Sequence, residues 1–186
     1  MRIISGKARG TKLYTLEGNE TRPTLDRVKE ALFNIIADKI YDSEVLDLFS
    51  GSGAIGLEFA SRGAKLVVLC DNSKKAIEII KKNIEKTHLE EKVQLYNLDF
   101  KEALKNEEKN KFDIIYLDPP YKTDDIKEAI QLIKEYKMIK DDGIIIAETD
   151  EVEKIEKQLK ELNIKNINKR KYGRANLLFI TWSKKA

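Results

Sequence analysis

From about residue 45 onward, short apolar runs alternate with longer stretches in which apolar side chains recur every three or four positions. The short runs are Val45–Phe49, Leu66–Cys70, Val93–Asn97, Phe112–Leu117 and Ile144–Ala147, each of strand length. Between them lie helical patterns over Ile55–Arg62 (stopped by Gly63), Ser73–Thr87, 100–108, 124–136 and 151–162. Ala76, Ile77, Ile80 and Ile84 share one face of the second of these. Phe112–Leu117 is almost continuously apolar, as expected of a strand covered on both faces. Strand–helix alternation of this kind implies right-handed βαβ units and a mainly parallel sheet with helices on both sides. The last two strands, 164–172 and 176–182, have only Gly173 and its neighbours between them, so they should form an antiparallel hairpin. The pattern predicts an α/β, Rossmann-like sheet with an antiparallel C-terminal hairpin.

The N-terminal part has a different rhythm. Arg2–Ser5 and Thr11–Leu16 flank a Gly6–Gly10 turn and predict a small β-hairpin. Residues 17–23 are polar. Thr24 is placed to cap a helix with Asp26 in its first turn and an apolar stripe of Val28, Leu32, Ile35 and Ile36. With 186 residues the chain fits one domain, divided here into an extension over 1–23 and a main domain over 24–186. A hydrophobic content of 41% is enough for a core, which excludes a disordered or fibrous chain. No apolar run approaches the ~18 residues of a membrane span, the start lacks a signal-peptide core, and one cysteine excludes a disulfide framework. A cytoplasmic, monomeric protein without a metal site or membrane contact is the expectation. Net charge is only +3, but residues 1–12 and 165–186 carry basic side chains and no acid, leaving an acidic middle. Basic ends are compatible with a polyanion-binding surface or with plain solvation.

Ligands of open α/β sheets sit beyond the carboxyl ends of the strands. Four strand ends here carry acids: Asp47, Asp71, Asp99 and Asp118. Asp47-Leu-Phe49-Ser-Gly51-Ser-Gly53-Ala-Ile-Gly56 places GxGxxG between a strand and a helix, where glycines make a tight turn and let a ligand approach the backbone. Alone, this motif fits a dinucleotide as well. Asp71, next to Asn72, lies twenty residues beyond Gly51, where an acid accepts from ribose hydroxyls for roughly 1.5–3 kcal/mol per bond. Asp99, followed by Phe100, is a candidate acceptor for an adenine amino group.

Asp118-Pro119-Pro120-Tyr121 is the most informative signal. Two prolines stiffen the turn and leave carbonyl oxygens with no competing N–H. A carboxylate beside such a carbonyl offers two acceptors for the two hydrogens of an exocyclic amine. Tyr121 offers a flat face for a flipped base, worth roughly 1–3 kcal/mol of stacking. The amine is a poor nucleophile because its lone pair is delocalised into the ring. Holding both N–H bonds as the nitrogen pyramidalises favours the transition state over the ground state.

Taken together, Asp47–Gly56, Asp71, Asp99 and Asp118–Tyr121 resemble the motif set of class I S-adenosylmethionine-dependent amino-methyltransferases. The opening Arg2-Ile-Ile-Ser-Gly-Lys-Ala-Arg-Gly-Thr-Lys-Leu13, Thr21-Arg-Pro-Thr24 and Asp26–Ile36 resemble the bacterial 16S ribosomal RNA guanine-N2-methyltransferase family, over essentially the whole chain. The resemblance implies a seven-stranded sheet, an N-terminal hairpin, and methyl transfer from S-adenosyl-L-methionine to N2 of one guanine in free 16S rRNA or an assembling small subunit. It implies that Asp47, Phe49, Gly51, Gly53, Gly56, Asp71, Asn72, Asp99 and Phe100 hold the cofactor, with Asp71 on the ribose and Asp99 on the adenine. Asp118, Pro119, Pro120 and Tyr121 then hold the target amine. One departure stands in the last hairpin: Tyr172-Gly173 is followed by Arg174-Ala175, where a small or acidic residue and Thr are expected.

With that resemblance, Arg2, Lys7, Arg9 and Lys12, and Lys169, Arg170, Lys171 and Arg174, become candidate RNA phosphate contacts. Arg22 is a candidate for the active-site rim, with a structural role equally open. His88 reads as surface, Cys70 as a small buried residue, Phe179 and Trp182 as core, and the charge runs 101–111 and 151–161 as solvated helix faces. A DNA adenine-N6 or cytosine-N4 methyltransferase needs the same amine-holding motif, but the chain has no room for a large sequence-reading domain. An NAD-dependent oxidoreductase leaves Asp118–Tyr121 unexplained, and intact Asp118 and Tyr121 argue against a catalytically silent RNA-binding protein.

Overall fold

A computed structural model describes residues 1–16, 23–109, 111–120 and 123–181. Seven strands form one sheet: β1 (Glu44–Asp47), β2 (Leu66–Asp71), β3 (Val93–Asn97), β4 (Phe112–Leu117), β5 (Ile139–Thr149), β6 (Ile167–Tyr172) and β7 (Ala175–Thr181). Their order is β3-β2-β1-β4-β5-β7-β6. β1 to β5 run parallel, and β7 is antiparallel to both β5 and β6. This is the Rossmann-like arrangement with an antiparallel C-terminal hairpin that the pattern predicts.

Seven helices flank the sheet: α1 (Pro23–Ile35), α2 (Ala37–Ile40), α3 (Ala54–Ser61), α4 (Lys74–Thr87), α5 (Phe100–Lys105), α6 (Asp125–Tyr136) and α7 (Val152–Glu161). Successive strand residues feed opposite cores, which explains the continuous apolar runs. Val45, Val67, Leu69, Ile114 and Tyr116 join the core under α1, α3 and α4. Leu46, Val68, Cys70, Ile115 and Leu117 join the core under α5, α6 and α7. Each fully buried large aliphatic or aromatic side chain contributes roughly 1.5–3 kcal/mol to the fold.

Several boundaries differ from the sequence expectation. β1 stops at Asp47 because the chain turns there into the glycine loop. α5 ends at Lys105, not 108, and β5 begins five residues early at Ile139, where its first residue pairs with Phe112 before a register shift. α1 begins at Pro23, a residue suited to a first helical turn by its fixed φ and missing N–H, so Thr24 lies inside the helix. The buried arc of α1 comprises Val28, Leu32 and Phe33, continued by Ile36 just past its end, which leaves Ile35 exposed at its edge. Lys29 falls within this arc and is only 2% exposed.

The expected N-terminal hairpin reduces to a single bridge, Arg2 with Lys12, plus turn hydrogen bonds such as Gly10 N to Ile3 O. Cross-strand bonds run from Ile3 N to Thr11 O and from Leu13 N to Met1 O, and several amides between them turn instead to helix α3. Ile4 and Ser5 amides donate to the Glu58 carboxylate, and the Lys7 and Ala8 amides donate to the Ser61 carbonyl and hydroxyl. Ile3, Ala8 and Leu13 are buried in the α3-side core, so the segment is fastened down along its length. His88 caps α4 in a left-handed conformation at the surface, Cys70 is buried, and Phe179 is core, as read from the sequence. Arg22, Tyr121 and Trp182 lie outside the described residues.

Candidate functional site

The strand order reverses at β1 and β4, and a cavity of 690 Å³ opens beyond their carboxyl ends. Its lining brings together Asp47, Phe49, Gly51, Asp71, Asn72, Asp99, Phe100, Asp118, Pro119 and Pro120, ten of the residues singled out from the sequence. Gly53 and Gly56 shape it from behind. Gly53 caps α3 at φ 82°, a left-handed conformation that favours glycine. A Cβ on Gly56 would lie 2.0 Å from Leu69 Cδ2, so only glycine lets α3 pack this close to β2. The loop is held to β2 from both sides. Ser50 Oγ donates to Asp47 O at 2.8 Å and accepts from Cys70 N at 3.0 Å, while Gly51 N donates to Asp71 Oδ2 at 3.0 Å.

Acids dominate the chemistry of the lining. Asp47 is 1% exposed and neither carboxylate oxygen has a well-formed hydrogen bond. Burial, reinforced by the nearby Asp71 charge, pushes its carboxyl up to about 7; the Gly56 and Phe49 amides and the Ser50 hydroxyl only partly offset this. Asp118 follows β4 and accepts no hydrogen bond from any described residue. It is open to solvent through the cavity mouth, yet crowding by protein and the charges of Glu148 and Asp47 push it well above the usual carboxylate range. Glu148, near the end of β5, is raised by burial and accepts from the buried Tyr116 hydroxyl at 2.6 Å. Burial and the Glu148 charge push the Tyr116 phenol up in turn. Asp71 accepts from Ser73 N at Oδ1 and from Gly51 N at Oδ2, so its cleft contacts fall to the remaining lone pairs, while Asp99 Oδ1 accepts from Lys101 N to cap α5.

Phe49 and Phe100 lie 5.2 Å apart between centroids, tilted at 48°, and give the cleft an apolar wall between Asp71 and Asp99. The opposite wall is made by Val28, Lys29 and Leu32 of α1 with Met1 and Leu16. Lys29 does not offer a free cation there. Its Nζ is 2.9 Å from Glu58 Oε1 and donates to Arg2 O at 3.0 Å. Burial alone would raise Glu58, but the Lys29 ammonium and the Ile4 amide hold it below the usual range. This lining suits a positively charged ligand and opposes an anionic dinucleotide.

The basic candidates lie outside the cavity. Arg2, Lys7, Arg9 and Lys12 are all exposed along the N-terminal segment. Lys169, Arg170, Lys171 and Arg174 are exposed on the β6–β7 hairpin, but Lys169 pairs with Glu156 of α7 at 3.2 Å. Lys171 shares a shallow groove with Glu151, Glu153 and Glu156, which weakens that side as a phosphate contact. Sequence reasoning missed Glu148, Tyr116 and Lys29. Glu148 carries the same signal as the four aspartates, an acid at a strand's carboxyl end; Lys29 and Tyr116 carry none. No helix among the described residues is long and apolar enough to cross a membrane.

The chain is similar to several known proteins. Ribosomal RNA small subunit methyltransferase D of Haemophilus influenzae is 38% identical over 154 residues, 81% of this chain and 79% of that protein. A Thermus thermophilus protein of solved structure matches with a TM-score of 0.76 at 26% identity, covering 97% of this chain and 98% of its own. The Thermus thermophilus 16S rRNA N2 G1207 methyltransferase RsmC, solved with AdoMet and guanosine, matches with a TM-score of 0.73 at 24% identity. That match covers 89% of this chain and 44% of RsmC, and it speaks to the fold alone. With a family model spanning residues 1–181, the chain belongs to the family described as Conserved hypothetical protein 95.

Proposed function

We propose that this protein transfers a methyl group from S-adenosyl-L-methionine to the exocyclic N2 amine of a guanine in 16S rRNA. The observation that carries the reading is one cavity at the switch point, acid-lined, with the glycine loop and Asp118-Pro119-Pro120 opening into it. The bound cofactor supplies a methyl group on a cationic sulfur. The buried Asp47 carboxylate would answer its positive charge, the turn through Gly51 and Gly53 would let it approach the backbone, Asp71 with Asn72 would hold its ribose, and Asp99 with the Phe49–Phe100 wall would hold its adenine. On the target side, Asp118 and the Pro119 carbonyl accept the two N–H bonds of the amine. As the nitrogen pyramidalises, these acceptors strengthen their hold and draw off the growing positive charge. Tyr121 stacks on the base in this reading.

The same reading takes residues 1–23 as an RNA-contacting extension of the domain over 24–186. Exposed Arg2, Lys7, Arg9 and Lys12, with Arg174 and Lys171, position RNA by its phosphates. The enzyme works as a cytoplasmic monomer on 16S rRNA, free or within an assembling subunit. The test is transfer of labelled methyl from S-adenosylmethionine to small-subunit RNA, to particles lacking the modification, and to duplex DNA, followed by nucleoside digestion. N2-methylguanosine from RNA or particles is the expected product. Label in N6-methyladenine or N4-methylcytosine of DNA overturns the substrate, and no label on any acceptor overturns the activity.

A further inference from the structure

The amine-holding turn does not by itself choose a base. Adenine, cytosine and guanine all carry an exocyclic NH₂ that Asp118 and the Pro119 carbonyl could hold. They differ at the neighbouring ring nitrogen. Adenine N1 and cytosine N3 are acceptors, whereas guanine N1 carries a hydrogen, so only guanine presents three N–H donors in a row.

The fold places a second carboxylate beside Asp118. Leu117 of β4 is in register with Ala147 of β5, so Asp118 and Glu148 occupy the next positions on adjacent parallel strands. Both line the same cavity. The Tyr116 hydroxyl, donating to Glu148 Oε2 at 2.6 Å, orients the carboxylate and leaves Oε1 without a donor among the described residues. Asp118, Glu148 Oε1 and a carbonyl therefore face a ligand, with Tyr116 the one donor to either carboxylate among the described residues. Crowding by protein and the Glu148 charge raise Asp118, and burial raises Glu148 despite its bond from Tyr116, as expected of carboxylates short of donors.

We infer that Glu148, held by Tyr116, is the residue that selects guanine, by accepting the guanine N1–H while Asp118 and Pro119 hold N2. Three donors on the base then meet three acceptors on the protein. An adenine or cytosine turned into the same place would set a ring lone pair against the free Glu148 oxygen, an element of rejection as well as attraction. The inference rests on the methyl-transfer reading above and adds the identity of the base reader.

The test replaces the target guanosine, located by mapping the labelled methyl to ribonuclease fragments of the RNA, with 2-aminopurine in otherwise identical RNA. That base keeps the 2-amino group and has an unprotonated N1. Wild-type enzyme should methylate guanine in preference, on the order of 100-fold or more, as sites built around a hydrogen bond do. In Glu148→Gln the amide N–H can donate to the bare N1. Guanine turnover should fall roughly 10–100-fold, the loss of a charge-assisted hydrogen bond, while the preference narrows at least tenfold. Both substrates are measured on one preparation, so a loss of folded enzyme cancels in the ratio. Tyr116→Phe keeps the carboxylate but frees it, and should narrow the preference less; it decides the matter if Glu148→Gln does not fold. Wild-type methylation of guanine with an unchanged preference in the variant overturns the role of Glu148 alone. Absence of methyl transfer by the wild type, despite stabilisation by the cofactor, overturns the underlying reading instead.

Discussion

Asp47→Asn should make the free protein more stable at pH 8 and leave it little changed at pH 4.5. Asp47 ionises near its ordinary value of 3.8 in the unfolded chain and at about 7 in the folded one. Between those values the folded state keeps a proton that the unfolded state has lost. The contribution of Asp47 to stability therefore declines as pH rises from about 4 to about 7, and levels off above that. A displacement of about three pH units, at about 1.36 kcal/mol each, sets a ceiling of about 4 kcal/mol on the penalty at pH 8. The asparagine oxygen can still face the Gly56 and Phe49 amides, but its NH₂ must find an acceptor, so a gain of about 1–3 kcal/mol is the reasonable expectation. Denaturant unfolding of both proteins at the two pH values reads the difference directly, and titrations common to both cancel. The cofactor side should move the other way. At about 100 times Kd, S-adenosylmethionine should stabilise the wild type by about 2.7 kcal/mol and the variant by less. A stability difference that does not change with pH, or a variant less stable at pH 8, would refute the account of Asp47 as a strained, unpartnered charge.

Asp118→Ala should abolish methyl transfer while the cofactor still raises the melting temperature; loss of both would mean that Asp118 serves cofactor binding. Glu58→Ala strips the partner from Lys29 and two acceptors from the Ile4 and Ser5 amides, and should destabilise by about 3–5 kcal/mol in denaturant unfolding, as removing one half of a buried ion pair does. Gly6→Ala brings a Cβ to 1.9 Å from the Ser61 carbonyl oxygen at φ 87°, so it should loosen the N-terminal segment from α3; amide exchange at Lys7 and Ala8, whose donors go to Ser61, should quicken by at least tenfold. Lys7, Arg9 and Lys12 changed together to alanine should weaken RNA binding and flatten its salt dependence, and unchanged binding would remove this segment from the RNA surface.

Most of the sheet was legible because its strands are buried on both faces and read as apolar runs bounded by helix signals. The cleft was legible for a related reason: strand ends in this topology face one side, so Asp47, Asp71, Asp99 and Asp118 converge once the strands are found. The N-terminal segment was not. Its alternation suggests a longer hairpin, but Glu58 and Ser61, more than fifty residues away, bind the Ile4, Ser5, Lys7 and Ala8 amides and draw the segment onto α3. Nor does any local pattern announce that Lys29 will be buried, because a lysine inside an apolar arc is tolerated only when a partner such as Glu58 stands opposite.

The choice of base belongs to this second kind of information. Asp118-Pro119-Pro120-Tyr121 is contiguous and stiff, so its chemistry can be read from four residues. That chemistry is the part common to every amine-methylating site of this type. What separates guanine from adenine or cytosine is the neighbour of the amine, and the neighbour of Asp118 is set by sheet register. Glu148 stands thirty positions along the chain and reaches the cleft only because β5 lies parallel to β4 with Leu117 opposite Ala147. A one-residue slip would turn Glu148 to the other face of the sheet, into the core beneath α6 and α7, and bring Ala147 or Thr149, neither a carboxylate, into its place. Base selection in this protein is therefore coupled to the packing that fixes the register of β5, including the apolar ladder of Ile144, Ile145 and Ile146 against β4 and β7.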